Sequence, residues 1–205
     1  MKHIQTFLNK HGYGLVEDGV LGPKTLTAAR EYVVTKCNSM GLRVPAKGII
    51  WVRTDEKLTN TFDDFAVVFN KSVAQMVFGC STTAGNFYVY NPITVGGITG
   101  TAVAKKQFVT ASHRFVTSSN WKTLWLGAPY FQQIRPIEIY RDGTKDDKID
   151  TDIITKGMYG INFHHAGFGT IIDRWSAGCF VAPRPIWEKV CSHFINGDEV
   201  NLILI

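Results

Sequence analysis

Apolar positions recur at helical spacing near the start of the chain and give way to short, dense runs from residue 48 onward. Ile4, Phe7, Leu8 and Leu15 fit a helical face ahead of the Glu17-Asp18-Gly19 turn. A second helix is expected from Pro23, which suits a first helical turn, with Leu26, Ala28 and Ala29 as its apolar face. The tract 37–47 carries Gly, Pro and polar residues without periodicity and is predicted as a linker after a helical segment 1–36. Beyond it, over 48–205, the runs GIIWV, FAVVF, AQMVFG, NFYVY, TAVAKKQFV, PIEIY and VNLILI are read as strands. They are rich in Val, Ile, Phe and Tyr and are divided by Gly, Asn, Pro and Asp. One late helix is predicted from Pro185, carrying Trp187, Val190, Cys191 and Phe194 and ending at Asn196-Gly197. The fold class is α+β: a small helical N-terminal module, then a mostly-β domain with a C-terminal helix.

Composition narrows the partners. With 45% hydrophobic and 19% charged residues over 205 positions, the chain suits a globular core. A net charge of +5 favours an anionic partner, but the basic residues are spread out, so nucleic acid is not the expected one. No apolar run reaches about 18 residues, so no membrane span is expected. MKHIQTFLNKHGYG lacks the apolar core and cleavage site of a signal peptide, which predicts synthesis in the cytoplasm. A monomer is expected. The four cysteines show no CxxC pair and are read as reduced thiols, one of them free to react.

That one is Cys179, in WSAGCFVAP. Ala177 and Gly178 carry no bulk, so backbone N–H groups around Gly178 can form an oxyanion hole. INFHHAG places His164 and His165 fifteen and fourteen residues earlier, far enough for two neighbouring strands to bring a base to the thiol. On a strand the two rings face opposite ways, so only one can serve. A thiol attacks as thiolate, and at a pKa of about 8.5 only ~3% is ionised at pH 7. A catalytic Cys179 is therefore expected to have its pKa lowered.

INFHHAG followed by WSAGCFV resembles the catalytic core of the L,D-transpeptidase (YkuD-like) family, which carries a histidine motif and then Ser-His-Gly-Cys. The order of GCSTTAGNFYVYNP, ASHRF, IEIYRDGTKDDKID and YGINFHHAG is similar to a phage-lysin branch of that family. The resemblance implies a β-rich sandwich in which Cys179 takes up an acyl group from a peptidoglycan stem peptide. It implies His164 as the preferred base, His165 as the alternative, Gly178 in the oxyanion turn, and Ser176 as the motif serine. Ala177 stands where that family has histidine, no arginine follows Cys179, and the His-to-Cys gap is short. His113, in ASHRF, is placed near the cleft by the same resemblance, with a surface or core position as the alternative. Thr82 and Thr83 are candidates for lining the cleft, with turn chemistry as the alternative.

The N-terminal run of Ile4-Gln5, Leu8-Asn9, Gly12, Leu15, Asp18-Gly19, Gly22, Thr25 and Ala28 resembles the peptidoglycan-binding domain found beside many cell-wall enzymes. That implies a shallow wall-binding groove at Asp18, Gly19, Gly22 and Thr25; a hairpin that only packs on the β-rich part is the alternative. Together these resemblances imply an endolysin-like stem-peptide hydrolase that acts on the cell wall after release or delivery. A transpeptidase or carboxypeptidase on tetrapeptide stems, or a non-catalytic wall binder, are the competing readings. No cofactor is expected. Asp142, Thr144, Asp146 and Asp150 sit at calcium-loop positions one, three, five and nine, but Asp147 replaces the glycine at six and Ile153 the glutamate at twelve. A solvated turn is the preferred reading there. HExxH and GxSxG are absent, against a zinc peptidase or a serine hydrolase.

Overall fold

The computed structural model describes residues 2–205. Two helices lead, α1 (Lys2–Lys10) and α2 (Pro23–Ser39), followed by β1 (Lys47–Val52), β2 (Asp64–Asn70) and β3 (Val73–Cys80). Then come α3 (Asn86–Tyr90), β4 (Thr94–Val95), β5 (Ile98–Thr99), β6 (Thr101–Ala104), β7 (Gln107–Val116), α4 (Trp121–Leu126) and β8 (Tyr130–Gln133). The chain finishes with β9 (Ile137–Asp142), β10 (Ile154–Gly157), β11 (Phe163–His165), a 3₁₀ turn (Asp173–Trp175), β12 (Phe180–Ala182), α5 (Arg184–Cys191) and β13 (Glu199–Leu204).

Eight strands form one sheet in the order β12-β11-β8-β7-β13-β1-β2-β3. The β11–β12 and β1–β13 pairs are parallel and the others antiparallel. Its two ends meet. Ser81, just past β3, pairs with Val181 of β12, and reciprocal N–H···O bonds of 2.8 and 2.9 Å close the sheet into a barrel. Alternation then sorts the side chains. Ile49, Trp51, Ala66, Val68, Phe131, Phe163 and Phe180 point inward and pack with Trp187 and Phe194 from the α5 region. Ile50, Val52, Phe65, Val67 and Ile203 point outward, where Ile4, Leu8, Ala29, Val33 and Cys37 cover them. Both faces of β1 and β2 are thus buried, which is why GIIWV and FAVVF are apolar at every position.

The helical segment is therefore an outer layer sharing a core with the barrel. α2 continues to Ser39, into the tract predicted as linker, because Cys37 is held in that shared core. NFYVY is a short helix, α3, and not the predicted strand; it follows Gly85 and buries Val89 against Leu58, Ala84 and Val103. TAVAKKQFV splits at Lys105-Lys106: β6 joins a three-stranded sheet with β9 and β10, while β7 enters the barrel. All four cysteines are free thiols.

Candidate active site

β11 and β12 lie side by side with Phe163 opposite Phe180 and His164 opposite Val181. Phe163 and Phe180 point into the barrel, so His164, Val181 and Cys179 share the outer face by alternation. Cys179 sits with Val181, Ala166 and Ile172 in one cluster, beside Trp175 and Phe62. His164 and Cys179 are diagonal neighbours on that face, two positions offset across the parallel pair.

His164 is fully buried. Its Nδ1 lies 2.8 Å from the His165 carbonyl oxygen, which can only accept, so Nδ1 carries the proton and Nε2 the lone pair. Nε2 is buried without a hydrogen-bond partner. Burial, reinforced by the Lys122 charge, lowers the His164 pKa to about 3, so the ring is neutral. His165 is committed elsewhere. Gly167 N–H donates to its Nδ1 (2.9 Å), and its Nε2 donates to the Leu126 carbonyl (2.8 Å), leaving no free lone pair. Of the two histidines, only His164 has a nitrogen available as a base.

The thiol departs from the sequence expectation. Cys179 is 9% exposed, and burial raises its pKa above the ordinary thiol value, against the opposing pull of the Lys122 charge and the Asn162 N–H. Asn162 N–H donates to Sγ and the thiol donates to the Gly160 carbonyl, both at 3.4 Å. The resting pair is thus a neutral thiol beside a neutral imidazole, and the expected thiolate is not there.

Gly178 is required where it stands. Its φ is +128°, and a Cβ there would collide with the Ala102 carbonyl of β6. Its N–H, however, donates to Ser176 Oγ at 3.1 Å, and so is not available to an oxyanion. Among the described residues, the N–H groups of Cys179 and Ala177 have no protein acceptor. Ser176 is buried and its hydroxyl also donates to the Cys179 carbonyl (2.7 Å), so it braces the turn and does not face a substrate.

The other predicted cleft residues are structural. His113 lies inside the barrel, stacked on Phe163 at 3.9 Å, with Nδ1 2.7 Å from Ser112 Oγ and Nε2 2.7 Å from the Ile161 carbonyl. It steadies the segment that reaches Cys179 but cannot touch a ligand. Thr82 hydroxyl donates to Asp64 (2.7 Å) and accepts from Arg53 Nε (2.9 Å) in a buried network. Thr83 is buried, and its carbonyl accepts from Ser176 Oγ at 3.3 Å.

In the helical segment, Gln5 ties the Asp18-Gly19 turn: Nε2 donates to Asp18 (2.7 Å) and to Thr25 (3.3 Å), and Oε1 accepts from Gly19 (2.7 Å). Asp18, Gly22 and Thr25 line one cleft of ≈ 490 Å³ with Leu15, Val20 and Lys24. In the acidic loop, Asp142 Oδ2 accepts from Asp150 N–H and Asp146 from Lys148 N–H and the Thr144 hydroxyl, while Asp142 Oδ1 is buried without a hydrogen-bond partner. Among the described residues no group of three or more His, Cys, Asp or Glu side chains is arranged to hold a metal ion.

Lys122, which no sequence motif marked, supplies the positive charge felt by both Cys179 and His164. It sits on α4, started by an Asn120/Thr123 capping box, with Nζ 4.8 Å from the Trp125 ring centroid. The Trp125 and Trp175 ring centroids lie 5.7 Å apart, and Trp121 and Leu124 of α4 and Phe168 in the loop after β11 are exposed.

Fold and site together define a closed barrel with a cysteine–histidine pair on the outer face of its seam. No family model and no curated protein matches the chain. Among solved structures it is similar to the L,D-transpeptidase of Xylanimonas cellulosilytica DSM 15894, at 12% identity and TM-score 0.41 over 97% of this chain and 78% of that one. It is also similar to the Ldtfm–avibactam carbamoyl enzyme, at 10% identity and TM-score 0.31 over 79% of this chain, and it spans about half (49%) of that chain's length. A third is the fused Zn-dependent amidase/peptidase/peptidoglycan-binding domain-containing protein of Clostridium acetobutylicum ATCC 824, at 12% identity and TM-score 0.31 over 100% and 94% of the two chains. Among the described residues no helix is long and apolar enough to cross a membrane.

Proposed function

We propose that the chain is a cysteine acyl-transfer enzyme acting on peptidoglycan stem peptides, with water as the acceptor. The observation that carries this reading is His164: a buried ring whose proton is fixed on Nδ1, leaving a partnerless Nε2 on the sheet face that Cys179 shares. A buried lone pair without a donor is costly as pure structure and useful as a base.

Rotation of the Cys179 side chain away from Gly160 brings the S–H to Nε2. His164 takes the proton as sulfur attacks the scissile carbonyl, and the N–H groups of Cys179 and Ala177 hold the oxyanion. The imidazolium then protonates the leaving amine, which departs as the thioester forms. Water, deprotonated by the same Nε2, attacks the thioester and releases the acid and the thiol. The cleft beside Asp18 and Thr25 would hold the wall while this occurs, consistent with a protein delivered to the cell wall.

Mass spectrometry of muropeptides from sacculi, treated with wild-type protein or Cys179→Ala, tests the reading. Soluble fragments with new free carboxyl and amino termini are expected from the wild type alone. Exchange of a terminal amino acid without net cleavage would assign an amine acceptor. Cleavage by both proteins, or by neither, would overturn the proposal.

A further inference from the structure

One stretch of surface holds large apolar side chains in water. On α4, Trp121, Leu124 and Trp125 fall at i, i+3 and i+4 and so share one helix face, while Thr123 and Leu126 on the other side are buried. Trp121, Leu124, Trp125 and Phe168 are each between 56% and 75% exposed. Contacts tie them into one patch. Lys122 Nζ lies over both indoles of α4, and Trp125 in turn touches Trp175. Gly167, just before Phe168, runs so close beneath Trp175 that a Cβ there would meet its ring at 2.8 Å. Arg184 completes the circuit: its Nη2 donates to the carbonyl of Gly127, the C-cap of α4 (3.0 Å), and its Cζ lies 5.3 Å from the Phe168 ring centroid. A contiguous apolar surface of this kind marks a site of interaction.

Charge says which partner. The segments 117–133 and 163–172, which supply the apolar side chains, contain no Asp or Glu, and Glu188 at the edge is engaged by Arg184 Nε at 3.0 Å. The patch is therefore apolar with a cationic fringe, on a chain of net charge +5. An anionic bilayer surface complements both properties: indoles settle at headgroup level, Leu and Phe reach the acyl boundary, and Lys and Arg stay with the phosphates. A glycan fits less well. The Lys122 ammonium already lies over both indoles where a sugar would stack, Leu124 has no ring, and neither segment has a carboxylate for sugar hydroxyls. A second copy of the chain would bring the same positive fringe and be repelled. Six residues are far too few to cross a bilayer, so the contact is peripheral.

We infer that Trp121, Leu124, Trp125 and Phe168, with Lys122 and Arg184, form a peripheral docking surface for an anionic phospholipid membrane. The inference stands apart from the stem-peptide reading and does not need it. Trp175 packs both on Trp125 and against the cluster that contains Cys179, so a docked molecule turns that flank of the barrel toward the lipid.

The test is flotation of the whole protein with vesicles of phosphatidylcholine alone and of equimolar phosphatidylcholine and phosphatidylglycerol, with tryptophan emission read in parallel. The wild type is expected to bind the phosphatidylglycerol vesicles at least about tenfold more tightly than the neutral ones, with emission shifted to the blue. Added salt should weaken that binding. Trp121→Ala and Leu124→Ala should each weaken it about tenfold, and Lys122→Gln about fivefold. An unchanged urea midpoint reports that a variant is folded; should Trp121→Ala or Leu124→Ala move it, Phe168→Ala takes its place. A wild type that ignores the phosphatidylglycerol vesicles, binds both kinds equally, or is matched by the variants overturns the inference. So does an emission shift with a chito-oligosaccharide but not with vesicles, which would assign the face to glycan. A dimer lost in Trp121→Ala, without vesicle binding, would overturn it in favour of a second copy.

Discussion

Removing the Lys122 charge should make Cys179 harder to ionise, and the size of the effect follows from the site. Burial holds the thiol above its ordinary pKa, with Lys122 the largest opposing influence. A thiol at about 8.5 is ~3% ionised at pH 7, so Cys179 starts below that fraction. A partly screened charge interaction worth about 1 kcal/mol corresponds to roughly 0.7 pKa unit and a fivefold change in thiolate at a given pH. The assay is the rate of iodoacetamide labelling of Cys179, read by mass spectrometry on the peptide that contains it, from pH 5 to 10. For the wild type, log rate should climb with unit slope through neutral pH and show no plateau below about pH 8.5. Lys122→Gln should run parallel and about fivefold lower in the rising region. His164, already neutral above about pH 3, should add no inflection. A plateau reached by pH 6, with a second inflection near 6.5, would reveal a thiolate–imidazolium pair and refute the account of a neutral resting site.

Two further outcomes can be checked. Gly178→Ala places a Cβ against the Ala102 carbonyl in a backbone conformation with φ +128°, so destabilisation of about 2–4 kcal/mol in urea melts and loss of muropeptide release are expected; an unchanged midpoint would mean the turn is not as described. His113, buried and neutral with its pKa near 3, binds its proton far more readily in the unfolded chain, so stability present above about pH 6.5 is lost as pH falls from there toward 3. Each such histidine contributes a slope of about 1.4 kcal/mol per pH unit, which Asp63, raised to about 6 by burial and the neighbouring Asp64, partly opposes between about 4 and 6. His113→Phe, which keeps the stack on Phe163, should flatten the urea stability-versus-pH curve by one such slope; an unaltered curve would exclude His113 as its source.

What could be seen in the sequence was whatever is written in adjacent residues. Cys179 with Gly178, and His164 with its strand, lie in short strings whose local geometry already limits what they can do. The α+β order and the apolar runs of β1 and β2 were equally visible, since a strand buried on both faces has no polar period. What the sequence hid is set by closure of the barrel. Lys122 and Asn162 belong to different segments, and only the packing of α4 and the β11 segment around the seam relates them to one sulfur. NFYVY carries strand-forming residues, yet its place between Gly85 and Val103 favours a helical turn. The thiol's raised pKa was hidden for the same reason: burial is a tertiary quantity, and small neighbours in sequence do not report it.

The bond pair between Ser81 and Val181 joins positions a hundred residues apart in the chain. Contacts of such long loop closure form late, because the chain loses entropy before it gains them. Val181 lies two residues beyond Cys179, so the surroundings of that sulfur are complete only when the cylinder is zipped shut. A half-folded copy would leave that thiol in water, ionising as an ordinary cysteine, until closure of the barrel buries it.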